Sequence, residues 1–195
     1  SAPCNTGLLS VFDLNWDWKT AKRADQGSRD HGDDSFGFGT YPVQYSIALL
    51  YQYPIAEEGV RTFQKFLWKD LPGHHMPADF YSTEVREIFR LSSKSHWDVP
   101  VQVDGEQVHL LLSHPTPRGF DGDEDRNGRR NFDEIKFWVE YLDDGTNLYD
   151  DNGQSGGLRP GAFFVIAGDL NSDPFSEDSL YEGKAAINQL LEHRG

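Results

Sequence analysis

A layered α/β domain is predicted by three features of the sequence. Short apolar runs alternate with Gly- and Asp-rich stretches, residues 99–103 and 107–113 flank Asp104-Gly105, and the apolar run 162–167 leads straight into Gly168-Asp169. An Asp-Gly pair between two such segments is a strong hairpin signal, and an unbroken apolar run of this length reads as a strand covered on both faces. At 195 residues, 37% of them hydrophobic, the chain can build one domain with a real core but not two ordinary ones. Residues 1–195 are therefore expected to form a single domain.

Taken in order, residues 1–40 read as a loop-rich entry segment. Gly27, Asp30, Gly32, Asp33, Asp34, Gly37 and Gly39 leave little periodicity there, so order would need help such as a cation. A first strand is expected over residues 45–51, closed by Pro54, which cannot continue a central ladder. A short helix is expected over residues 83–89. The hairpin follows, and its second arm (Val108, His109, Leu110, Leu111, Leu112) reads as deeply buried. Asn131 can cap a helix, with Glu134 completing a capping box and Ile135, Trp138, Val139 and Leu142 on one apolar face. After the apolar strand 162–167, a last helix is expected over residues 184–193 with Ala186, Ile187, Leu190 and Leu191 inward. Strands joined through helices favour an α/β or α+β layered domain.

Charge narrows the partners. Lys and Arg number 18 against 32 Asp and Glu, a net charge of −14 with no basic stripe, which disfavours a general binder of nucleic-acid backbone unless metal ions supply positive charge. The single cysteine, Cys4, excludes an internal disulfide and a Cys-rich zinc site. No run of about 20 apolar residues is present to span a bilayer as a helix. Ser1-Ala2-Pro3-Cys4 does not read as a charged and apolar leader, so any export signal is expected outside residues 1–195.

Two segments offer chemistry. In Gly168-Asp169-Leu170-Asn171-Ser172-Asp173-Pro174 a strand delivers carboxylate, amide and carboxylate at alternate positions. Such a set can fix a water or a divalent cation and hydrogen-bond a phosphate oxygen; the plainer reading is a strand ending in an Asx turn. His114, at the tip of the strand before Pro115, suits general acid work or a hydrogen bond to a leaving oxygen, although a lone histidine at a strand end is more often structural.

A third segment, residues 123–134, fits the D-x-D-x-N-G-x₅-E calcium loop. Oxygen ligands for Ca²⁺ would come from Asp123, Asp125, Asn127, the carbonyl of Arg129, Asn131 through water, and Glu134. Arg130 replaces the usual apolar residue and no helix precedes the loop, so a complete EF-hand is not expected, and a charged surface loop is the alternative. Residues 13–17 are a weaker second candidate.

Together, Leu112-Ser113-His114 and Gly168-Asp169-Leu170-Asn171 resemble the [TSL]-H and G-D-[FL]-N signatures of the endonuclease/exonuclease/phosphatase superfamily, and residues 44–55 resemble its upstream strand. Residues 90–100, 113–117 and 124–131 look like a bacterial, usually exported branch. The resemblance implies a deoxyribonuclease I-like four-layer αββα sandwich and hydrolysis of a phosphate ester. By it, Asp169 orients or deprotonates the attacking water, Asn171 holds a phosphate oxygen, and His114 stabilises the transition state or leaving group. It also implies catalytic Mg²⁺ or Mn²⁺ at Asp169 and Asn171, with Lys94 and His96 as candidate phosphate contacts.

The chain departs from that pattern. The early metal-site Asn and Glu and the closing S-D-H element of the superfamily are not found, and Val43, Ser46 and Phe132 stand where Gly, Gly and His are expected. The chain is thus expected to be the middle of a catalytic domain, its sandwich incomplete at both ends. Two readings follow: a metal-dependent phosphoesterase, secreted or extracytoplasmic, or a non-catalytic calcium-stabilised binding or assembly module that self-associates through open sheet edges.

Overall fold

The computed structural model describes residues 7–11, 35–36, 38 and 44–193. Within them, β1 (Gly7–Val11) pairs antiparallel with β2 (Ser35–Phe36). The rest centres on a four-stranded sheet of β3 (Arg61–Thr62), β4 (His96–Val103), β5 (Glu106–Ser113) and β6 (Phe163–Ala167), in that spatial order. The β3–β4 and β4–β5 pairs are antiparallel, and β6 lies parallel to β5. Helix α1 (Thr83–Ile88) precedes β4, α2 (Arg126–Asp143) connects β5 to β6, and α3 (Asn188–Leu191) closes the described chain. A mixed α/β architecture is what the sequence predicts.

The hairpin forms as its turn dictates. Asp104 and Gly105 both take positive φ, 51° and 92°, the conformation that matches the twist of the flanking strands. The ladder extends past the predicted start, from His96↔Ser113 to Val103↔Glu106. The register puts His96, Asp98, His109, Leu111 and Ser113 on one face, where α2 covers them: the Trp138 indole N–H donates to Ser113 Oγ at 2.9 Å and the Tyr141 hydroxyl to Asp98 at 2.6 Å. This face joins the main core, built from Phe63, Phe66, Trp68, Leu111, Phe137, Trp138 and Tyr141. Trp97, Val99 and Leu112 face the other way and pack against Ile47, Leu49, Ile55 and Val60.

Four expectations change. Residues 45–51 form no strand, and only Ile55 bridges to Val101. Their apolar alternation is real, since Ile47 and Leu49 are covered while Leu50 is exposed, but it reflects one-sided packing onto the sheet rather than a hydrogen-bonded ladder. Helix α2 starts at Arg126, five residues before the expected cap; the Asp121 carboxylate meets the Asn127 N–H at 2.7 Å, and Asn131 and Glu134 lie buried inside the helix. The last helix is limited to Asn188–Leu191, with Ala185 and Ala186 buried but Leu191 exposed.

The fourth concerns β6. Its residues are apolar, yet Phe163, Phe164 and Val165 are exposed, because only β5 pairs with it and no described residue covers its outer edge. The short helix near 83–89 does form, with the Ser82 hydroxyl accepting from the Val85 N–H at 3.3 Å. The calcium candidate at residues 13–17 lies outside the described residues, as does most of the loop-rich stretch 24–39.

Where β6 ends, Gly168 has φ 141° and its backbone crosses so close to β5 that a Cβ would lie 1.9 Å from the Ser113 carbonyl oxygen. Side chains rarely adopt such a φ, and the atom in the way is backbone. Gly168→Ala is therefore expected to destabilise the fold by more than about 2 kcal/mol, read as a lower denaturation midpoint in urea. An unchanged midpoint would show that β5 and β6 separate here without cost.

Candidate active site

Register gathers the predicted residues at one end of the sheet. β5 and β6 are parallel, with Leu112 opposite Ala167, so His114 and Asp169 leave neighbouring strand ends at the same level. β4 runs antiparallel to β5 and begins opposite Ser113, which brings the segment just before it, with Lys94, to that same end. Loops beyond the carboxyl ends of parallel strands are a common place for a ligand in α/β folds.

After β6 the backbone turns at once. The Asn171 N–H donates to Asp169 Oδ1 at 3.0 Å, an Asx turn, and Asn171 itself takes a left-handed φ of 49°. A second such turn joins Phe175 to Asp173 at 2.9 Å. Asp169, Asn171 and Asp173 therefore do not continue the strand's alternation. The turn leaves Asp169 Oδ2 outside this bond, and it sends the Asn171 side-chain Nδ2 to the Pro115 carbonyl at 3.0 Å.

That carbonyl is shared. Lys94 Nζ reaches Pro115 O at 3.4 Å, a long hydrogen bond, so Lys94 and Asn171 meet on one acceptor beside His114. Lys94 is only 3% exposed. Burial pulls its pKa down to about 8, against the opposing pull of the Glu134 carboxylate; Arg130 lowers it further and Asp169 raises it. His114 is half-buried, and its Nδ1 lies 3.1 Å from the Tyr45 carbonyl oxygen, which can only accept, so Nδ1 carries the proton. Burial lowers the pKa of His114, and the charge on Lys94 lowers it further. The ring is thus neutral at pH 7 with Nε2 as an acceptor.

His96 lies elsewhere. It is 1% exposed inside the core, Nδ1 against Ser92 Oγ at 3.1 Å and Nε2 against the Glu134 carbonyl at 2.8 Å, so neither ring nitrogen is left for a phosphate. It faces the helix because the β4 register turns it toward α2 rather than toward the sheet end.

The calcium loop does not form either. From Arg126 onward its positions belong to α2, so they rotate around a helix axis instead of converging on one point. Asp125 accepts hydrogen bonds from the Ser179 and Tyr181 hydroxyls, Asn127 Nδ2 donates to the Gly119 carbonyl, and Arg129 Nε donates to the Glu124 carbonyl. Asp123 is exposed, and Glu134 points into the interior. The motif's Gly128 serves close approach instead of a turn: a Cβ there would lie 2.3 Å from Asp125 Oδ1. Among the described residues no group of three or more His, Cys, Asp or Glu could hold a metal ion.

Residues 8–185 match the model of the Endonuclease/Exonuclease/phosphatase family. The chain belongs to that family. No match was found among curated proteins or among solved structures. Membership makes the scaffold one of phosphodiesterase or phosphatase type, and enzymes of the family generally use divalent ions such as Mg²⁺. No helix among the described residues is long and apolar enough to cross a membrane.

A magnesium ion is commonly held by one or two carboxylates with waters and substrate phosphate filling the rest, and Asp169 with Asn171 offers oxygen donors of that kind. Among the described residues, the Asx bond uses only Asp169 Oδ1 and the Asn171 amide meets Pro115 through its nitrogen, so Asp169 Oδ2 and Asn171 Oδ1 are oxygen donors of the type such an ion takes. Three contributors escape sequence reasoning: the Pro115 carbonyl, the Tyr45 carbonyl, and the side chain of Asn131, which reaches both loops of the site. Backbone carbonyls carry no residue signature, but two polar residues at i and i+3 amid the apolar positions of α2 were a visible signal.

A buried ammonium with one long hydrogen bond costs stability, because the folded state binds its proton more weakly than the unfolded chain does. With the folded pKa about 8 against 10.5, stability is expected to rise as pH climbs from about 8 toward 10.5. Lys94→Met is expected to raise the melting temperature at pH 7 and to flatten that rise. A lower melting temperature in the variant would mean that the ammonium holds the loops together.

Proposed function

We propose that this chain is a metal-dependent phosphoric ester hydrolase in which water attacks phosphorus and the ester oxygen leaves. One observation carries the reading: Lys94 is buried at the sheet end where His114, Asp169 and Asn171 meet, at a cost in stability that a merely structural residue would not need to incur. The positive charge suits a phosphate. The second N–H of the Asn171 amide, beside the one on Pro115, is available for a phosphate oxygen.

The protonation pattern refines the role of His114. As a neutral ring with Nδ1–H on Tyr45, it presents Nε2 as a proton acceptor, whereas a general acid would need the imidazolium that burial and Lys94 disfavour. Nε2 therefore takes the proton of the attacking water, and Asp169 Oδ2 helps to orient that water. Mg²⁺ or Mn²⁺ held by Asp169 and Asn171 would offset negative charge on the phosphate. The exported location suggested by the resemblance belongs to this reading. Net charge of −14 argues for a substrate smaller than duplex DNA.

The competing reading of a calcium-stabilised assembly module loses its calcium loop to α2. What supports its assembly half is the open edge of β6, where Phe163 and Val165 are exposed.

His114→Ala is expected to lower kcat on bis(p-nitrophenyl) phosphate by about 10²-fold or more, and EDTA to abolish turnover in the parent protein. Activity equal to the parent's would remove His114 from the reaction. The acid limb, where His114 takes a proton, is expected to lie below the pH at which an ordinary imidazole titrates. On the alkaline side it is expected to fall as pH rises through about 8, where Lys94 loses its charge. An alkaline limb that stays in place in Lys94→Arg would count against that assignment.

A further inference from the structure

The side chains of the site come from three separate segments, and each of those segments is tied to the same helix. Glu134, with no exposed surface, accepts from the Ser93 N–H at 2.6 Å, from the Ser93 hydroxyl at 3.0 Å and from the Thr116 N–H at 2.6 Å. Ser93 adjoins Lys94, and Thr116 adjoins Pro115. One turn earlier on the helix, Asn131 is equally buried and its Nδ2 donates to the Thr116 carbonyl at 2.9 Å and to the Leu170 carbonyl at 3.0 Å. Leu170 lies between Asp169 and Asn171. Two acceptors on one atom settle which end of the amide is nitrogen.

The spacing makes this a single device. Residues at i and i+3 share a helix face, so Asn131 and Glu134 present an amide and a carboxylate side by side to the loops. Both converge on Thr116, one at its carbonyl and one at its N–H. Packing alone does not account for Asn131. Its Oδ1 is buried with no hydrogen-bond partner, a defect that an apolar residue of the same size would not have. The site keeps the amide for what Nδ2 does.

We infer that Asn131 and Glu134 are positioning residues for the hydrolytic site, a buried clamp on α2 that sets the distance between the Lys94 segment, the His114–Pro115 segment and the Asp169–Asn171 turn. The inference rests on the hydrolase reading for its catalytic consequence and on the hydrogen bonds alone for its geometry. Neither residue touches substrate. Each acts by fixing where Lys94 and Asn171 meet on Pro115.

The test uses Glu134→Gln and, to keep a readout if that variant does not fold, Asn131→Leu, which removes the orphaned Oδ1 together with Nδ2. Both are measured in the intact protein for melting temperature, for kcat and KM on bis(p-nitrophenyl) phosphate with Mg²⁺, and for the Asn171 side-chain amide resonances by ¹⁵N NMR. For Asn131→Leu the expected result is a folded protein whose kcat falls about tenfold or more while KM stays within about threefold, the signature of misplaced groups rather than lost binding. The Asn171 amide resonances are expected to move. A folded Asn131→Leu protein with parental kcat and an unmoved Asn171 amide would overturn the inference. If the parent protein hydrolyses nothing and the Asn171 resonances still move, the hydrolase reading fails and the clamp stands.

Discussion

A carboxylate with no access to water stays in a protein interior only where donors meet it, and Glu134 is met by three. These bonds decide how the ends of β4 and β5 sit against α2. Removing the side chain would strand two buried backbone N–H groups, those of Ser93 and Thr116, far from any replacement. Its neighbour Asp133, equally buried, takes the Trp68 indole N–H, the His75 backbone N–H and the His75 ring on the other side of the helix. Helix α2 thus carries buried carboxylates on two faces in the middle of an aromatic core, and the segments on both sides are fastened to it.

The site follows from that fastening and from strand register. A parallel β5–β6 pair brings two strand ends to one level, and an antiparallel β4 brings its starting loop there too. Gly168 lets β6 approach β5 where any side chain would collide with the Ser113 carbonyl. The cost is carried by Lys94, whose ammonium is buried with a single long bond to Pro115 among the described residues. On the proposed reading, stability and chemistry pull this residue in opposite directions.

Much of the fold was legible, and where it was not, the reason lies in partners the local sequence cannot name. The Asp104-Gly105 hairpin and the Ser82-capped helix depend on neighbours in the chain, and both form. Residues 45–51 have the alternation of a strand, but alternation records only which side is covered, and Ile47 and Leu49 are covered by a sheet to which they are not hydrogen-bonded. The wholly apolar β6 is an exposed edge among the described residues, because apolar composition says what a strand could bury against and not whether anything is there. Residues 123–134 satisfy a calcium pattern position by position, yet the helix begins inside the pattern and carries its ligands apart.

By itself the sequence determined the hairpin and the mixed α/β character, and it singled out His114, Asp169 and Asn171 as candidates for chemistry by residue type and short-range spacing, with Lys94 added through the family resemblance. The tertiary structure alone decided which of the predicted groups meet. His96 and Glu134, ligand candidates in the sequence, are interior struts in the fold, and the Pro115 and Tyr45 carbonyls join the site with no residue signature. The physical reason is that burial and long-range hydrogen bonds set the availability of a polar group, and both depend on segments tens of residues away. Spacing along the chain places a side chain on an element; only packing decides whether that side chain faces water, a substrate or another part of the protein.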